Sequence, residues 1–144
     1  MVVTEKSVNK HLPPTPATGG VLPYWLLITS VASAYNVVQN YFTLKQSKEV
    51  YGGKPELMNP LAGRLFSAWT AMAAAVRFLA AYDIGNKGLY DLAIVAFGVA
   101  TFHFTTELLV FGTVKINRAS IGPLVIGSSG VAWMLTQRSY YLGL

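Results

Sequence analysis

Five ionisable side chains stand inside the second and third of four long apolar stretches of the sequence, where a charge needs a partner. They are Arg64, Arg77, Asp91, His103 and Glu107. Such groups are costly in lipid and usually pair with one another or face a bundle interior. Folding the second and third apolar stretches about a turn near residue 85 places Arg64 level with Glu107 and Arg77 nearly level with Asp91. We therefore predict two interhelical ion pairs, Arg64–Glu107 and Arg77–Asp91.

Two further pairs have the spacing of neighbours on one helical face. His103 and Glu107 are four residues apart, which permits a metal site or a proton relay. They supply too few ligands for a catalytic metal, and His11 is the only other histidine. We predict a structural polar contact between helices, with no metal and no cofactor. Asn36 and Asn40 share a face of the first apolar stretch and are predicted to hydrogen-bond across the bundle.

Four apolar stretches must position these side chains, at about residues 21–44, 61–82, 89–112 and 120–141. Each has about 20 residues, the length that crosses roughly 30 Å of hydrocarbon. Tyrosines and tryptophans lie near their ends, as in interfacial aromatic belts. The sequence predicts an all-α integral membrane protein whose four antiparallel transmembrane helices form a small bundle.

The bundle is predicted to be a single domain over residues 21–144, preceded by a flexible polar tail at residues 1–20. Ser120 is a plausible N-cap for the fourth helix, which would place Pro123 in its first turn. Lys and Arg are slightly more numerous in the 45–60 and 113–118 loops, which favours a cytosolic position for both.

One alternative concerns the start of the bundle. Ala32-Ser33-Ala34 is similar to a signal-peptide cleavage site, with residues 21–31 as its apolar core. The apolar character continues through Val37, Val38 and Phe42, which favours a retained helix.

The composition excludes several classes of protein. Of 144 residues, 12% are charged and 53% hydrophobic, whereas an average soluble domain is roughly 25% charged. The 11 Lys and Arg outnumber the 6 Asp and Glu but are scattered, so they form no basic face for nucleic acid. With no cysteine, disulfides, thiolate metal sites and thiol nucleophiles are absent. No phosphate-binding glycine loop or hydrolase elbow is present, and we predict that the protein is not an enzyme.

Five tracts in a fixed order resemble a known family. They are LPYWLL at 22–27, RLFSAWT at 64–70, FHF with ELL at 102–109, GPLV at 122–125 and QRSYY at 137–141. Together they are similar to the ergosterol biosynthetic protein 28 family, over roughly residues 21–142. The polar tail has no counterpart in this resemblance.

The resemblance implies a non-catalytic scaffold in the endoplasmic-reticulum membrane. Family members tether the enzymes that remove the methyl groups at sterol carbon 4: a methyl oxidase, a decarboxylating dehydrogenase and a 3-ketosteroid reductase. The resemblance carries His103, Glu107, Arg64 and Arg77 over as bundle-organising residues. Seven residues in a loop and at the C-terminus are predicted docking contacts for these enzymes: Lys45, Lys48, Lys54, Gln137, Arg138, Tyr140 and Tyr141. The sequence leaves the oligomeric state open.

A second function remains open, that of a small sterol- or lipid-binding carrier with His103, Glu107 and Arg77 lining a central cavity. Transporters usually show inverted repeats or helices interrupted near their middle, and neither pattern is evident. Labelling of the third helix by a photoreactive sterol would favour the carrier.

Overall fold

The computed structural model describes residues 11–16 and 19–144. Over these residues the chain is helical and contains no strand, which confirms the all-α class. Six helices follow one another: α1 Leu22–Phe42, α2 Lys45–Val50, α3 Pro60–Tyr82, α4 Lys87–Leu109, α5 Arg118–Thr136 and α6 Arg138–Leu142. A short 3-10 turn at Pro55–Leu57 lies between α2 and α3.

Three of the described helices are long and apolar enough to cross a membrane, namely α3, α4 and α5. Their outward surfaces carry large apolar side chains that water would not favour. Leu65 is 62% exposed and Phe102 is 70% exposed, and Val125 on α5 is also exposed. Exposed apolar surface on this scale is typical of a protein that faces lipid.

Asparagine caps set the starts of these three helices. The side chain of Asn59 accepts a hydrogen bond from Ala62 N at 2.9 Å, and Pro60 occupies the first helical position, where its missing N–H costs nothing. Asn86 caps α4 in the same way, accepting from Leu89 N at 3.2 Å. These caps place the starts of α3 and α4 within about two residues of the predicted positions.

The fourth predicted helix differs from the structure at both ends. Asn117, not Ser120, is the N-cap: its side chain accepts from Ser120 N at 3.0 Å, and the Ser120 hydroxyl accepts from Asn117 N at 3.0 Å. This reciprocal capping box starts the helix earlier, so Pro123 lies inside α5 and not in its first turn. The helix also ends at Thr136, and after Gln137 the chain continues as the short α6.

The helices pack in the order α1, α3, α4, α5. Small and polar residues occupy the α1–α3 seam, where Ser30 Oγ donates to Ala74 O at 2.7 Å and Ser67 Oγ donates to Val37 O at 3.4 Å. Two glycines let α5 approach α4, because a Cβ on Gly127 or Gly130 would lie within 3 Å of Thr101 or Phe97. Small residues at the seams are the usual means of close packing between helices in membranes.

The two ends of the bundle are built differently. The turn end contains the α3–α4 turn, the start of α1 and α6, with a core of Leu22, Leu26, Ala80, Tyr90, Met134 and their neighbours. The loop end contains residues 43–59 and 110–117, with a core of Val50, Tyr51, Met58, Phe104 and Val114. The predicted flexible tail falls largely on residues 1–10, which lie outside the described residues. Its described part contacts the turn end, where Tyr82 Oη donates to His11 O at 2.7 Å.

Candidate functional site

The loop end holds an ordered segment, residues 45–58, that we call the docked segment. It consists of α2, Tyr51, two glycines and the 3-10 turn. Tyr51 anchors it: the side chain is 7% exposed, and its Oη lies 2.7 Å from His103 Nε2 on α4. Burial, and secondarily the charge of Glu107, raise the pKa of the Tyr51 phenol. The phenol therefore stays protonated at neutral pH and shares a hydrogen bond with Nε2 of the His103 imidazole.

Aromatic rings surround this hydrogen bond. Tyr51 contacts Phe66 edge-on at 6.0 Å between centroids and stacks on Phe104 at 6.4 Å. The His103 ring lies edge-on to Trp69 at 5.7 Å. Such pairs add roughly 0.5–1.5 kcal/mol each beyond the area they bury. The aromatic cluster (Tyr51, Phe66, Trp69, His103, Phe104) thus fixes the docked segment against α3 and α4.

Three hydrogen bonds to main-chain oxygens hold the same segment from the other side. Gly53 N donates to Thr113 O at 2.9 Å, and Lys54 Nζ donates to Phe111 O at 3.1 Å. Asn117, the cap of α5, also donates from Nδ2 to Glu49 O at 2.7 Å. The backbone of the docked segment is therefore fixed, while several of its charged side chains face outward: Lys45, Lys48, Glu49, Lys54 and Glu56 are exposed.

Replacement of Tyr51 by phenylalanine should loosen the docked segment without unfolding the bundle. The ring contacts would remain, but loss of the hydroxyl leaves His103 Nε2 without its partner, at a cost of about 1–3 kcal/mol. Tyr51→Ala should cost about 3–5 kcal/mol because the ring is lost as well. Hydrogen–deuterium exchange over residues 45–58 in nanodiscs measures both effects, and Tyr35→Phe on the exposed face of α1 is the control. Equal exchange in wild type and Tyr51→Phe would contradict this role.

Glu107 organises the connection between α4 and α5. Its carboxylate accepts a hydrogen bond from Thr113 Oγ1, and its carbonyl accepts from Thr113 N at 2.9 Å. The predicted Arg64–Glu107 ion pair is absent, because Arg64 is exposed on the outer face of α3. Arg64 and Glu107 lie at a similar depth along their helices, but their side chains do not face each other.

The predicted Arg77–Asp91 ion pair is also replaced by other contacts. Asp91 accepts from Arg138 Nε at 2.9 Å and Arg138 Nη2 at 3.0 Å, and from Lys87 Nζ at 3.0 Å. The hydrogen bonds to Asp91 raise the pKa of Arg138. Asp91 therefore ties α6 to the start of α4 at the turn end. Arg77 is buried deeper, at 6% exposure, and donates to Ser33 Oγ at 2.7 Å and to Ala73 O at 3.0 Å.

The predicted docking contacts at the C-terminus differ in their exposure to solvent. Gln137 and Tyr140 are exposed, whereas Arg138 is half-buried in its contact with Asp91. Tyr141 is buried, and its hydroxyl accepts from Leu22 N at 3.2 Å. At the other end of the bundle, Lys45, Lys48 and Lys54 are all exposed. The accessible part of the predicted docking surface is thus concentrated on the docked segment.

Asn36 and Asn40 lie on one face of α1, but in place of the predicted hydrogen bonds across the bundle they bond to each other and to α2. Asn40 Nδ2 donates to Asn36 Oδ1 at 3.3 Å, and Ser47 Oγ donates to Asn40 Oδ1 at 2.5 Å. The second bond links the end of α1 to the docked segment.

A cavity of about 330 Å³ lies between α1, α3, α4 and α5 and reaches the docked segment. Its walls are mostly alanine, glycine and aromatic residues, with Arg77, Ser33 and Thr70 among the polar ones. Of the three residues predicted to line a central cavity, Arg77 does so, whereas His103 and Glu107 lie outside its lining. Within the described part of the chain, no three His, Cys, Asp or Glu side chains cluster in a way that could hold a metal ion.

The sequence leaves a central cavity open as one alternative, but it does not single out Tyr51 as a site residue. Tyr51 lies in a polar connection in which only the lysines Lys45, Lys48 and Lys54 are predicted contacts. An aromatic residue immediately before Gly52-Gly53 is the signal that could have indicated a buried anchor beside a tight backbone contact.

The comparison with known proteins gives one family. Residues 22–132 match the family model described as Erg28 like protein. The chain is 42% identical over 124 residues to ergosterol biosynthetic protein 28 of Candida albicans, a match that covers 86% of this chain and 90% of the relative.

More distant relatives cover similar shares. The Saccharomyces cerevisiae ergosterol biosynthetic protein 28 is 37% identical, with 87% of this chain and 85% of the relative aligned. The ergosterol biosynthetic protein 28 homolog of Homo sapiens is 36% identical, with 83% and 86% aligned. No solved structure matches the chain.

Proposed function

Because the chain belongs to the Erg28 family, we propose that it acts in sterol biosynthesis as a non-catalytic scaffold of the endoplasmic-reticulum membrane. Its partners in this proposal are the carbon-4 methyl oxidase, the decarboxylating dehydrogenase and the 3-ketosteroid reductase. Holding sequential enzymes side by side raises their effective concentration and limits the escape of intermediates. The relatives' names place them in ergosterol biosynthesis, which supports the pathway.

The observation that carries the scaffold proposal is the docked segment. A surface that must bind partners gains affinity when it is ordered before binding, because less conformational entropy is lost. Here a short stretch of chain is fixed by Tyr51, Gly53 and Asn117 while its lysines and glutamates remain exposed. Charged side chains on such a rim select partners by electrostatic complementarity.

We further propose that α1 is a fourth span, antiparallel to α3. It has 21 residues, or about 31 Å at 1.5 Å per residue. Its polar side chains, including Ser30 and Ser33, face α3, while Ile28, Val31 and Val38 are exposed. A helix with polar contacts inside and apolar residues outside suits lipid surroundings. Four spans place the start of α1 and the end of α5 on one side and the docked segment on the other, the cytosolic side by the distribution of lysine and arginine.

Reversal of one charge on the docked segment tests the surface directly. We expect Lys48→Glu to lower the capture of the three enzymes several-fold from gently solubilised membranes, with unchanged abundance of the scaffold. Lys48 is exposed, so its substitution should change stability by no more than about 0.5 kcal/mol.

The matched control is Lys115→Glu, which makes the same charge change at another exposed position of the loop end. Equal capture by wild type and Lys48→Glu would remove this surface from the proposal. An equal loss in both variants would assign the effect to overall charge and not to the docked segment.

A further inference from the structure

The cavity contains a buried cation without an anionic partner. Arg77 uses two of its five N–H groups, and both acceptors, Ser33 Oγ and Ala73 O, are neutral. Its guanidinium carbon lies 5.1 Å from the centroid of the Phe97 ring. Over the described residues the only ion pairs are those of Asp91, and the cavity lining contains no Asp or Glu. A guanidinium keeps its charge when buried, so an uncompensated Arg77 is costly.

A second polar side chain of the cavity lacks a hydrogen-bond partner. Thr70 Oγ1 is buried without a hydrogen bond, and the residue is 7% exposed. Thr70 and Arg77 are seven residues apart, two turns of α3, and both line the same cavity. An unpaired hydroxyl and a cation without an anionic partner that line one cavity indicate a ligand that has a polar end there.

Most of the remaining lining is apolar, with polar side chains such as Gln46, Ser47 and Arg118 where the cavity reaches the docked segment, and the cavity is elongated. It follows α3 from Phe66 to Arg77, eleven residues or about 16 Å along the axis. Trp69, Ala73 and Ala100 contribute to its walls. A cavity with mostly apolar walls between a buried cation and a polar end at the docked segment fits a lipid-sized apolar body with one polar group.

We propose that the cavity binds an apolar molecule bearing a single carboxylate, which lies at Arg77 while the apolar body extends toward the docked segment. A carboxylate matches the planar fork of the guanidinium and can accept from Thr70 or Ser33 as well. The reverse orientation would place hydrocarbon against the buried charge. Arg118, the other cation of the lining, is exposed at the loop end, where solvent screens its charge. This site does not depend on the tethering of enzymes.

Fatty acids and sterol carboxylic acids share this chemistry, so the test uses both. The full chain is purified in detergent and irradiated with a photoreactive fatty acid, the alcohol of the same chain, a photoreactive sterol acid and its methyl ester. Labelled peptides are mapped by mass spectrometry. We expect at least one acid to label α3 or α4 residues of the cavity about tenfold more than its neutral counterpart.

Two variants on one helix provide the matched comparison. Arg77→Gln should reduce labelling by the acid to the level of the neutral probe, and Arg77→Lys should retain part of it because the charge remains without the fork. Arg64→Gln, which removes an exposed arginine of α3 outside the cavity, should label like wild type. Thermal unfolding of the wild-type chain with the non-photoreactive forms of the same compounds gives a second measurement that needs no variant. The acid should raise Tm and the neutral compound should not.

The fatty acid and the sterol acid are distinguished by which of them labels the cavity and raises Tm. Equal labelling by acid and neutral probes, or labelling unaffected by Arg77→Gln, would overturn the proposal. Labelling confined to the outer surfaces of the helices would overturn it as well.

Discussion

Replacement of Gly130 by leucine is expected to remove most of the protein from membranes. A Cβ at this position would lie 2.7 Å from the Phe97 ring, which is 2% exposed and packs beneath Arg77. Cγ of the ring would also lie only 2.8 Å from the new Cβ, so rotation of the ring in place gives no relief, and Phe97 and α5 must move apart. Overpacking of this kind costs about 3 kcal/mol or somewhat more. Losses of this size lower cellular abundance several-fold, which quantitative immunoblotting of membrane fractions will measure.

The control for this substitution is Gly98→Leu on α4. No atom lies within 4 Å of a Cβ built on Gly98, so the same exchange meets open space. It also replaces a poor helix former by a good one, and abundance should be unchanged or higher. Similar abundance of the two variants would show that the α4–α5 contact is not as close as the structure has it.

The second large effect is expected at Gly53, where alanine should release the docked segment. A Cβ there collides with the main-chain oxygen of Gly112 and would lie 2.9 Å from Thr113 O. Backbone atoms cannot rotate away, so the Gly53 N–H bond to Thr113 must break. Hydrogen exchange over residues 45–58 should accelerate about tenfold or more, and enzyme capture should fall with it.

Gly85→Ala is the comparison, because it lies in the connection at the turn end and meets no atom within 4 Å. It should change neither exchange in the docked segment nor capture. If hydrogen exchange in Gly53→Ala is faster but the enzymes are still captured in full, partner binding does not require an ordered docked segment. That result would count against the docking surface.

Helix positions could be predicted from the sequence because apolar length and asparagine or proline starts are local properties. α3 spans Pro60–Tyr82 against a predicted 61–82, and α4 spans Lys87–Leu109 against 89–112. The family could likewise be recognised, because its tracts are spread over the chain in a fixed order. The end of the fourth helix was predicted too late because no proline or glycine near Gln137 marks the end of the helix in the sequence.

The ion pairs were wrong because sequence spacing gives depth along a helix but not the side that faces a neighbour. Arg64 has the right level and faces outward, whereas Arg138, which pairs with Asp91, comes from a separate helix. The anchoring role of Tyr51 depends on the folding back of a loop onto α4. The cavity depends on how four helices leave space between them. Both are properties of packing that no single stretch of sequence encodes.

The central claim is that this chain tethers the carbon-4 demethylation enzymes of sterol biosynthesis. The most direct measurement is affinity capture of the chain from gently solubilised native membranes, followed by quantitative mass spectrometry. The proposal predicts that the methyl oxidase, the decarboxylating dehydrogenase and the 3-ketosteroid reductase co-enrich well above other proteins of the same membrane. Their absence, under detergent conditions in which unrelated membrane complexes remain intact, would contradict it.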